Sequence, residues 1–332
     1  MIDIECFVEA IRTRAYDIRC IARRPDGALV FDAMFSPICV RLDARVGTPI
    51  PDSLRAALSV FLRKPATVPA RTEPQTQSEP KMNYRIGQIV PSSNITMERE
   101  VPAIFAGRMQ RLPERFSFHS SRVRMHRVVA EELERMNRDM GRCALELADA
   151  RVDVMSTACL VATMCMGRGY HRQVIEDLNA AIADAPYRPA IMTSAGALVE
   201  ELKDFGARRI SLMAPYSDAL TRTVVEYIES EGIEVKDAIN FSILDNLEVG
   251  ERDPLQLLQD MKRLDTAGVD TVVLSACVQM PSFAAIERAQ LALGVPVTST
   301  AICTARQMLR RLGLDAVAPG SGAYLGSKTG LA

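Results

Sequence analysis

The sequence has no excess of positive charge and no long apolar run. Its 332 residues include 40 Lys and Arg against 41 Asp and Glu, which gives a formal net charge of −1. Such a chain offers no basic face to nucleic acid or to an anionic membrane. No apolar run approaches the roughly 18 residues of a membrane-spanning helix, and the N-terminus lacks the basic and then apolar segments of a secretory leader. We therefore predict a cytoplasmic protein without a nucleic-acid or membrane partner.

The cysteines and histidines lack the spacings of metal and redox sites. Eight cysteines are present, and none of them forms a C-x-x-C motif. The three histidines have no metal-ligand spacing relative to the cysteines, which argues against a structural zinc site and a thioredoxin-like redox pair. A glycine-rich phosphate-binding loop is also absent from the sequence. These absences predict free thiols, no metal and no cofactor.

The first 81 residues differ in composition from the rest. Residues 1–62 form a small N-terminal extension in which Pro25-Asp26-Gly27 separates two alternating runs, Tyr16–Arg23 and Ala28–Phe35. This pattern predicts a β-hairpin. Residues 63–81 contain four prolines among polar residues, a composition typical of a linker. Neither segment contains a recognisable catalytic motif, and an alternative interpretation is that the native protein starts at Met82.

From Met82 onward, strand signals and helix signals alternate. This alternation predicts parallel sheets with helices on both faces. The order of elements in residues 82–200 recurs in residues 201–332. We therefore predict an α/β fold of two pseudo-symmetric, doubly wound parallel-sheet subdomains with the active site between them. One helix is expected from Pro254 to about Ala267, and Ser194 is expected to cap another.

Two matching stretches occupy equivalent positions in the two halves. Val152-Asp-Val-Met-Ser-Thr-Ala-Cys159 and Val269-Asp-Thr-Val-Val-Leu-Ser-Ala-Cys277 both begin with Val-Asp and end with Ala-Cys. The apolar run in each is typical of a buried parallel strand, and the carboxyl ends of such strands are where open α/β sheets bind ligands. A single cysteine there is more often a core residue. Two at equivalent strand ends indicate a functional pair facing each other across a cleft.

Polar clusters follow three other predicted strands. They are Pro91-Ser-Ser-Asn94, Ala214-Pro-Tyr216-Ser and Asp245-Asn246-Leu-Glu. Asn, Ser and Pro also serve turns and helix caps, so each cluster alone has a purely structural explanation. Their shared location at strand carboxyl ends makes Asn94, Tyr216 and Asn246 candidate binding residues.

Taken together, the motifs resemble those of a known family. In chain order they are Gly87-Gln-Ile-Val-Pro-Ser-Ser-Asn94, Thr157-Ala-Cys159, Ala214-Pro-Tyr216-Ser, Asn246-Leu-Glu-Val-Gly250 and Ser275-Ala-Cys277-Val-Gln-Met-Pro281. From Met82 to the C-terminus, the chain is similar to the maleate cis–trans isomerases of the aspartate/glutamate racemase superfamily. One departure is Ile95, where the family pattern leads us to expect Thr. Residues 1–81 have no counterpart in the resemblance.

The resemblance implies a reaction and a role for each residue. It implies cofactor-independent conversion of maleate, a small dicarboxylate, into fumarate, with Cys159 as nucleophile and Cys277 exchanging a proton with the adjacent carbon. Asn94, Tyr216 and Asn246 would bind the carboxylates. A homodimer and a role in nicotinate degradation are also implied. The chemistry is sound in itself, because thiolate addition to an electron-poor double bond leaves a single bond that can rotate.

Other functions are compatible with two facing cysteines. An amino-acid racemase of the aspartate/glutamate type would use the same thiols to remove and return a Cα proton. A related decarboxylase is a weaker alternative, since it needs only the second-half cysteine, and a non-enzymatic sensor of small acids belongs to a different class. For the isomerase we expect Cys159 to be a thiolate, favoured by a helix N-terminus, and Cys277 to be protonated, since two facing thiolates repel.

Overall fold

The structure, a computed structural model, describes residues 2–11, 13, 15–35, 37, 39–41, 46–62 and 81–326. The chain forms two compact units, one of residues 1–77 and one of residues 78–332. Residues 63–80, which make up most of the predicted linker, lie outside the described residues. Among the helices of the described segments, none is both long enough and apolar enough to cross a membrane.

In the described part of the first unit, a three-stranded antiparallel sheet has β2 at its centre. The described elements of this unit are the strands β1 (Asp3–Ile11), β2 (Tyr16–Arg23), β3 (Leu29–Phe35), β4 (Val40–Arg41) and β5 (Val46–Gly47), and the helix α1 (Asp52–Val60). The sheet consists of β1, β2 and β3. The predicted hairpin is confirmed, because β2 pairs with β3 in antiparallel register. Gly27 lies in the connecting turn at φ +82°, in the left-handed region that glycine adopts without steric penalty.

Within residues 81–326, the second unit contains two four-stranded sheets in which all pairs are parallel. The first sheet consists of β6 (Asn83–Pro91), β7 (Arg115–Val123), β8 (Val154–Thr157) and β9 (Ala190–Thr193), in the order β7-β6-β8-β9. The second sheet consists of β10 (Arg209–Ala214), β11 (Glu234–Asn240), β12 (Thr271–Ser275) and β13 (Val297–Ser299), in the order β11-β10-β12-β13. Both sheets therefore have the same topology, and the predicted fold class is confirmed.

Helices connect successive strands, as parallel pairing requires. In chain order they are α2 (Met97–Met109), α3 (Ala130–Asp149), α4 (Leu160–Met164), α5 (Tyr170–Ala181), α6 (Ser194–Phe205), α7 (Asp218–Ser230), α8 (Asn246–Glu251), α9 (Leu257–Asp260), α10 (Ile286–Leu293) and α11 (Thr300–Arg311). Turns of 3₁₀-helix cover Pro254–Gln256, Met261–Arg263 and Phe283–Ala285. The buried faces of strands and helices form one continuous apolar core in this unit.

The strands that lead to the two cysteines are buried along their whole length. Every residue of β8 and β12 is buried, as expected for parallel strands covered on both faces. Gly87 of β6 permits close packing against β8, because a Cβ at position 87 would lie 2.9 Å from Met155 Cβ and 3.0 Å from Val152 Cγ2. A larger residue there would displace the strand that positions Cys159.

The segment predicted as one helix from Pro254 to Ala267 is interrupted. It forms the short helix α9 between two turns of 3₁₀-helix. Asp253 accepts a hydrogen bond from the Leu255 N–H at 2.9 Å, and Asp265 accepts one from the Ala267 N–H at 3.0 Å. Local hydrogen bonds of this kind compete with a continuous helix, so the single long helix is wrong.

The cap of α6 is Thr193 and not the predicted Ser194. Thr193 has extended backbone angles and its Oγ1 accepts a hydrogen bond from the Gly196 N–H at 2.9 Å. An N-cap residue needs this extended geometry. Ser194 already has helical geometry as the first residue of α6.

Polar contacts hold the two halves of the second unit together. Glu201 of α6, in the first half, pairs with Arg306 and Arg310 of α11, in the second half. Burial raises the pKa of Glu201, and the two guanidinium groups oppose that rise. Glu100 of α2 likewise accepts the Ser282 N–H at 2.6 Å. Both contacts join an element of the first half to an element of the second half.

We predict that residues 78–332 fold without the first unit, because their apolar core contains no residue of it. A protein that starts at residue 78 should be soluble and should unfold in one cooperative urea transition, followed by circular dichroism. The full chain, measured in parallel, provides the reference. Aggregation of the shorter protein, or a gradual transition without cooperativity, would show that the first unit is needed for folding.

Candidate active site

The five side chains predicted to form the site line one cavity between the two halves. Asn94, Cys159, Tyr216, Asn246 and Cys277 are all buried and line a narrow cavity of about 10 Å³. The remaining lining residues are Pro91, Met125, Val128, Val161, Val278 and Gln279. The carboxyl ends of strands from both sheets thus converge on one place, the location at which open α/β sheets bind ligands. None of these described lining side chains carries a formal charge.

Cys159 lies in a sharp turn between β8 and α4. Its φ is +72°, in the left-handed region, which is unfavourable by about 1–2 kcal/mol for a residue with a Cβ. Cys159 is also the N-cap residue of α4; its sulfur makes no capping hydrogen bond, although the Ala162 N–H is close enough to lower the pKa of the thiol. Strained backbone of this kind is maintained by the surrounding packing and is frequent at active sites.

Burial dominates the ionisation of Cys159. Loss of hydration raises the pKa of its thiol to about 12, the Ala162 N–H lowers it, and the neighbouring Cys277 raises it further. This pKa favours the thiol form of Cys159 at neutral pH over the resting thiolate predicted from the sequence. The physical reason is that α4 has only five residues, so its dipole offsets little of the desolvation.

Cys277 has more hydrogen-bond donors around its sulfur than Cys159 has among the described residues. Burial raises the pKa of Cys277, while the Tyr216 hydroxyl and the N–H groups of Gln279 and Met280 lower it. The Gln279 nitrogen lies 3.3 Å from Cys277 Sγ. These donors favour ionisation of Cys277 over ionisation of Cys159, which is the reverse of the predicted order.

Ser275, the last residue of β12, holds the turn that carries Cys277. Its hydroxyl lies 2.8 Å from the Cys277 carbonyl oxygen and 3.0 Å from the Met280 carbonyl oxygen, and the two oxygens share its single proton. The side chain is buried, so these bonds are shielded from water. They keep the backbone N–H groups of the turn directed towards the Cys277 sulfur.

Tyr216 lies close to both thiols, so that charge on either sulfur affects the pKa of its hydroxyl. Its hydroxyl donates to the Ala276 carbonyl at 3.2 Å and also interacts with the Cys277 sulfur. Burial raises the pKa of Tyr216 well above its usual value, and charge on Cys277 or Cys159 raises it further. Tyr216 therefore stays protonated and is a hydrogen-bond donor in the cavity.

Neighbouring groups fix the orientation of the two asparagines. Asn94 Oδ1 accepts from the Thr96 N–H at 3.0 Å and the Met97 N–H at 2.9 Å, at the start of α2. Its NH₂ group is the part that remains to donate. Asn246 Nδ2 donates to Ser93 Oγ at 2.8 Å, and since an amide nitrogen carries two protons, one remains for a ligand.

Gln279 joins the loops that carry the two asparagines, and it was not predicted from the sequence. Its Oε1 accepts from the Ile95 N–H at 2.9 Å. Its Nε2 donates to the Ser93 carbonyl at 3.1 Å and to the Asn246 carbonyl at 2.5 Å. The available signal was a polar residue two positions after Cys277 in an otherwise apolar turn. One buried amide thus links the two halves beside the cavity.

Gly250 lets α8 approach this amide closely. A Cβ at position 250 would lie 2.5 Å from Ile95 Cγ1 and 2.7 Å from Gln279 Nε2. Ile95, the departure from the family pattern, therefore packs its side chain over Gly250 and contributes only its backbone N–H to Gln279. Ile95 is not among the described lining residues, so this departure removes no polar group from the cavity.

Charged side chains of both signs lie next to the cavity and not in it. A neighbouring depression shares Val128 with the cavity and is also lined by Ser93, His126, Arg127 and Asp245. Across the described segments, no group of three or more His, Cys, Asp or Glu side chains has an arrangement that could hold a metal ion. The chemistry available in the cavity is that of two thiols, a phenol and three amides.

We predict that alkylation of Cys159 accelerates steadily with pH. Its thiolate fraction rises about tenfold per pH unit below a pKa of about 12. Iodoacetamide labelling of Cys159, followed by peptide mass spectrometry, should therefore become faster from about pH 7 to about pH 10 without a plateau. The partly exposed Cys39 serves as an internal control for the reagent. A plateau below about pH 8 would indicate a resting thiolate.

Comparison with known proteins gives a consistent result. Residues 86–325 match the family model of arylmalonate decarboxylase. The maleate isomerase of Alcaligenes faecalis is 52% identical over 243 residues, which is 73% of this chain and 96% of that protein. The maleate isomerase of Geobacillus stearothermophilus is 49% identical over 247 residues, 74% of this chain and 98% of that protein.

Solved structures share the fold. The maleate isomerase Iso of Pseudomonas putida superposes with a TM-score of 0.73 at 49% identity, over 74% of this chain and 99% of that one. A Nocardia farcinica maleate cis–trans isomerase, with one cysteine changed to serine, contains a covalently bound succinylcysteine intermediate; its TM-score is 0.71 at 41% identity, over 73% of this chain and 98% of that one. Since relatives up to 52% identical are matched along nearly their whole length, this chain belongs to the maleate isomerase family.

Proposed function

We propose that this protein converts maleate into fumarate without a cofactor. The observation that carries the proposal is the pair of thiols, Cys159 and Cys277, at equivalent strand ends on one uncharged cavity. The maleate isomerases of A. faecalis and G. stearothermophilus support it. So does the succinylcysteine in the N. farcinica enzyme, since it is the adduct that addition of a cysteine to maleate would form.

A covalent adduct explains how the double bond changes from cis to trans geometry. Cys159 Sγ adds to one alkene carbon, and the π electrons move to the adjacent carbon and its carboxyl group. Cys277 gives its proton to that adjacent carbon, so a succinyl adduct forms and its central C–C bond rotates. Cys277 then takes a proton back from the same carbon, the C–S bond breaks, and fumarate is released.

The proton of Cys159 needs an acceptor before addition can occur. With a pKa of about 12, ionising this thiol at neutral pH costs on the order of 7 kcal/mol. Among the described lining residues there is no His, Lys or Asp to accept the proton. A substrate carboxylate is the base at hand. Transfer from Sγ to that carboxylate leaves the total charge in the cavity unchanged, and the proton returns to Cys159 when fumarate leaves.

Charge conservation is a strong constraint in this cavity. A thiolate formed beside a maleate dianion would place three negative charges in a desolvated space with no cation in its lining. Proton transfer to the substrate keeps the number of negative charges in the cavity at two. It also makes the alkene more electron-poor, since a carboxylic acid withdraws electrons more strongly than a carboxylate does.

The surroundings of the two sulfurs fit different roles. When Cys277 releases its proton, the Tyr216 hydroxyl and the Gln279 N–H stabilise the thiolate that remains. Cys159, with the Ala162 N–H as its described donor, is the more basic sulfur. Nucleophilicity of a thiolate rises with its basicity, so this assignment makes Cys159 the nucleophile and Cys277 the proton donor.

Neutral donors bind the two carboxylates in this proposal. The NH₂ groups of Asn94 and Asn246 reach the cavity from opposite halves, and the Tyr216 hydroxyl lies by the thiols. Neutral donors can remain hydrogen-bonded to a carboxylate while it moves from its position in maleate to its position in fumarate. A tight ion pair would instead hold one geometry and slow the release of product.

The racemase alternative is not favoured. Aspartate or glutamate would bring an α-ammonium group into the cavity, and burying that cation requires an acidic partner. No Asp or Glu is among the described lining residues. The relatives that are about half identical to this chain are maleate isomerases.

The cellular location, oligomeric state, pathway and subdomain boundaries of this protein are also proposals. We propose a cytoplasmic homodimer that acts in nicotinate degradation, which the family resemblance supports. Residues 82–200 and 201–332 are proposed as the two halves of the catalytic unit, which the repeated strand order supports. Residues 1–62 have no assigned catalytic role.

Proton NMR of the full chain with maleate tests the proposed function. The alkene signal of maleate should be replaced by that of fumarate, and Cys159→Ser should lower the rate more than about a thousandfold because the nucleophile is lost. As a control, aspartate in deuterated water should keep its Cα proton signal. Loss of that signal without fumarate formation would identify a racemase.

Intact mass spectrometry of the same variants separates the two sulfurs. Cys277→Ser should still gain the mass of one maleate, because the Cys159 sulfur can still add, and the proton that Cys159 passed to a substrate carboxylate can end on the adjacent carbon. Cys159→Ser should gain none. An adduct found on Cys159→Ser would reverse the roles of the two cysteines.

We predict that Gln279→Met raises the KM for maleate about tenfold, with a smaller effect on kcat. Loss of the amide leaves the Ile95 N–H and the Asn246 carbonyl without their partner, at about 1–3 kcal/mol for each buried group, and both asparagine loops lose their link. Gln110→Met, at an exposed position, is the matched control. A lower melting temperature with an unchanged KM would restrict Gln279 to a structural role.

A further inference from the structure

The first unit contains a second pair of thiols that the proposed reaction does not use. Cys6 of β1 and Cys20 of β2 lie directly opposite each other in the antiparallel ladder, and their sulfur atoms are 2.7 Å apart. We propose that Cys6 and Cys20 form a reversible redox couple, which a low-molecular-weight disulfide such as glutathione disulfide oxidises to an intramolecular disulfide bond.

The strand register places the two backbones at a suitable separation. Opposite residues in an antiparallel pair have Cα atoms about 4.5 or 5.5 Å apart, and both values lie within the range of about 4.4–6.8 Å that a disulfide spans. The ladder is regular on either side of the pair, with Glu5 opposite Ile21 and Phe7 opposite Arg19. The bond can therefore form without a backbone rearrangement.

The position of the pair makes it accessible and reversible. Cys6 is exposed and Cys20 is partly exposed, whereas Cys159, Cys277 and Cys303 are buried. A small oxidant can reach the pair, and a thiol reductant can reach the product. Exposed disulfides are the labile kind, in contrast to buried structural ones.

The oxidation proceeds by two exchange steps. The thiolate of one cysteine attacks a sulfur of glutathione disulfide, which forms a mixed disulfide and releases one glutathione. The thiolate of the other cysteine attacks the protein sulfur of that mixed disulfide, which forms the Cys6–Cys20 bond and releases the second glutathione. Two electrons pass from the protein to glutathione disulfide, and the two thiol protons end on the two glutathione molecules.

The contact between the Cys6 and Cys20 sulfur atoms makes the second exchange step fast. Because Cys6 and Cys20 already touch, the resolving attack is intramolecular and outpaces reaction with a second reagent molecule. The mixed disulfide should therefore not accumulate. The new bond would join the outer strand β1 to the central strand β2, so the redox state would govern how readily β1 separates from the sheet.

The full chain is to be incubated with glutathione disulfide, blocked with N-ethylmaleimide and digested with trypsin. Mass spectrometry should find the peptide containing Cys6 linked to the peptide Cys20–Arg23, and dithiothreitol should abolish the link. Cys6→Ser and Cys20→Ser should each retain a stable mixed disulfide with glutathione on the remaining cysteine. Cys39→Ser, a change outside the pair, should leave the link intact.

Three outcomes would overturn the proposal. The first is accumulation of glutathione on both cysteines of the unmodified chain, which would show that the second step does not occur. The second is a disulfide between two chains, seen as a dimer on a non-reducing gel. The third is the absence of any oxidation of Cys6 and Cys20 under conditions that oxidise the partly exposed Cys39.

Discussion

Desolvation of two thiols in a cavity without charged side chains is the constraint on which the site depends. Burial raises the pKa of Cys159 and of Cys277, so neither sulfur ionises without a specific proton acceptor or donor nearby. No cationic side chain is among the described lining residues. Charge must therefore be conserved within the substrate and the two thiols, which explains why a reaction that moves one proton among three groups suits this cavity.

The duplicated topology explains how the thiols come to face each other, and the loops explain why they differ. β8 and β12 are equivalent third strands of sheets with the same order, and a cysteine follows each. The equivalent strands β6 and β10 are followed by different groups, the amide of Asn94 and the phenol of Tyr216. Repetition of the fold thus brings two similar groups together, and the unequal loops provide for a reaction in which one carbon bonds sulfur and its neighbour gains a proton.

Features that depend on local pattern could be predicted from the sequence, and features that depend on three-dimensional surroundings could not. Short continuous apolar runs predict β8 and β12, and the equivalent positions of these strands predict that Cys159 and Cys277 face each other. The ionisation of Cys159 depends on the depth of its burial and on the shortness of α4, neither of which the motif reveals. Gln279 bonds residues 184 and 186 positions away, so no local pattern indicates its partners.

Errors in the predicted elements have similar causes. The periodicity of residues 254–267 is helical, but acidic side chains at both ends satisfy backbone donors and break the segment into turns. In the first unit, the turn residues around Gly27 predict the hairpin between β2 and β3. The contact between Cys6 and Cys20 depends on the register of β1 against β2, which a turn signal elsewhere does not determine.

The left-handed backbone at Cys159 has a consequence for how this position evolves. Glycine would occupy φ +72° without the penalty of about 1–2 kcal/mol that a side chain incurs. Selection for thermal robustness alone would therefore remove the sulfur, since the mutation Cys159→Gly arises easily and relaxes the turn. A lineage that keeps cysteine here does so against that pressure, and an otherwise intact homologue with glycine at this site would mark a descendant that has abandoned the chemistry.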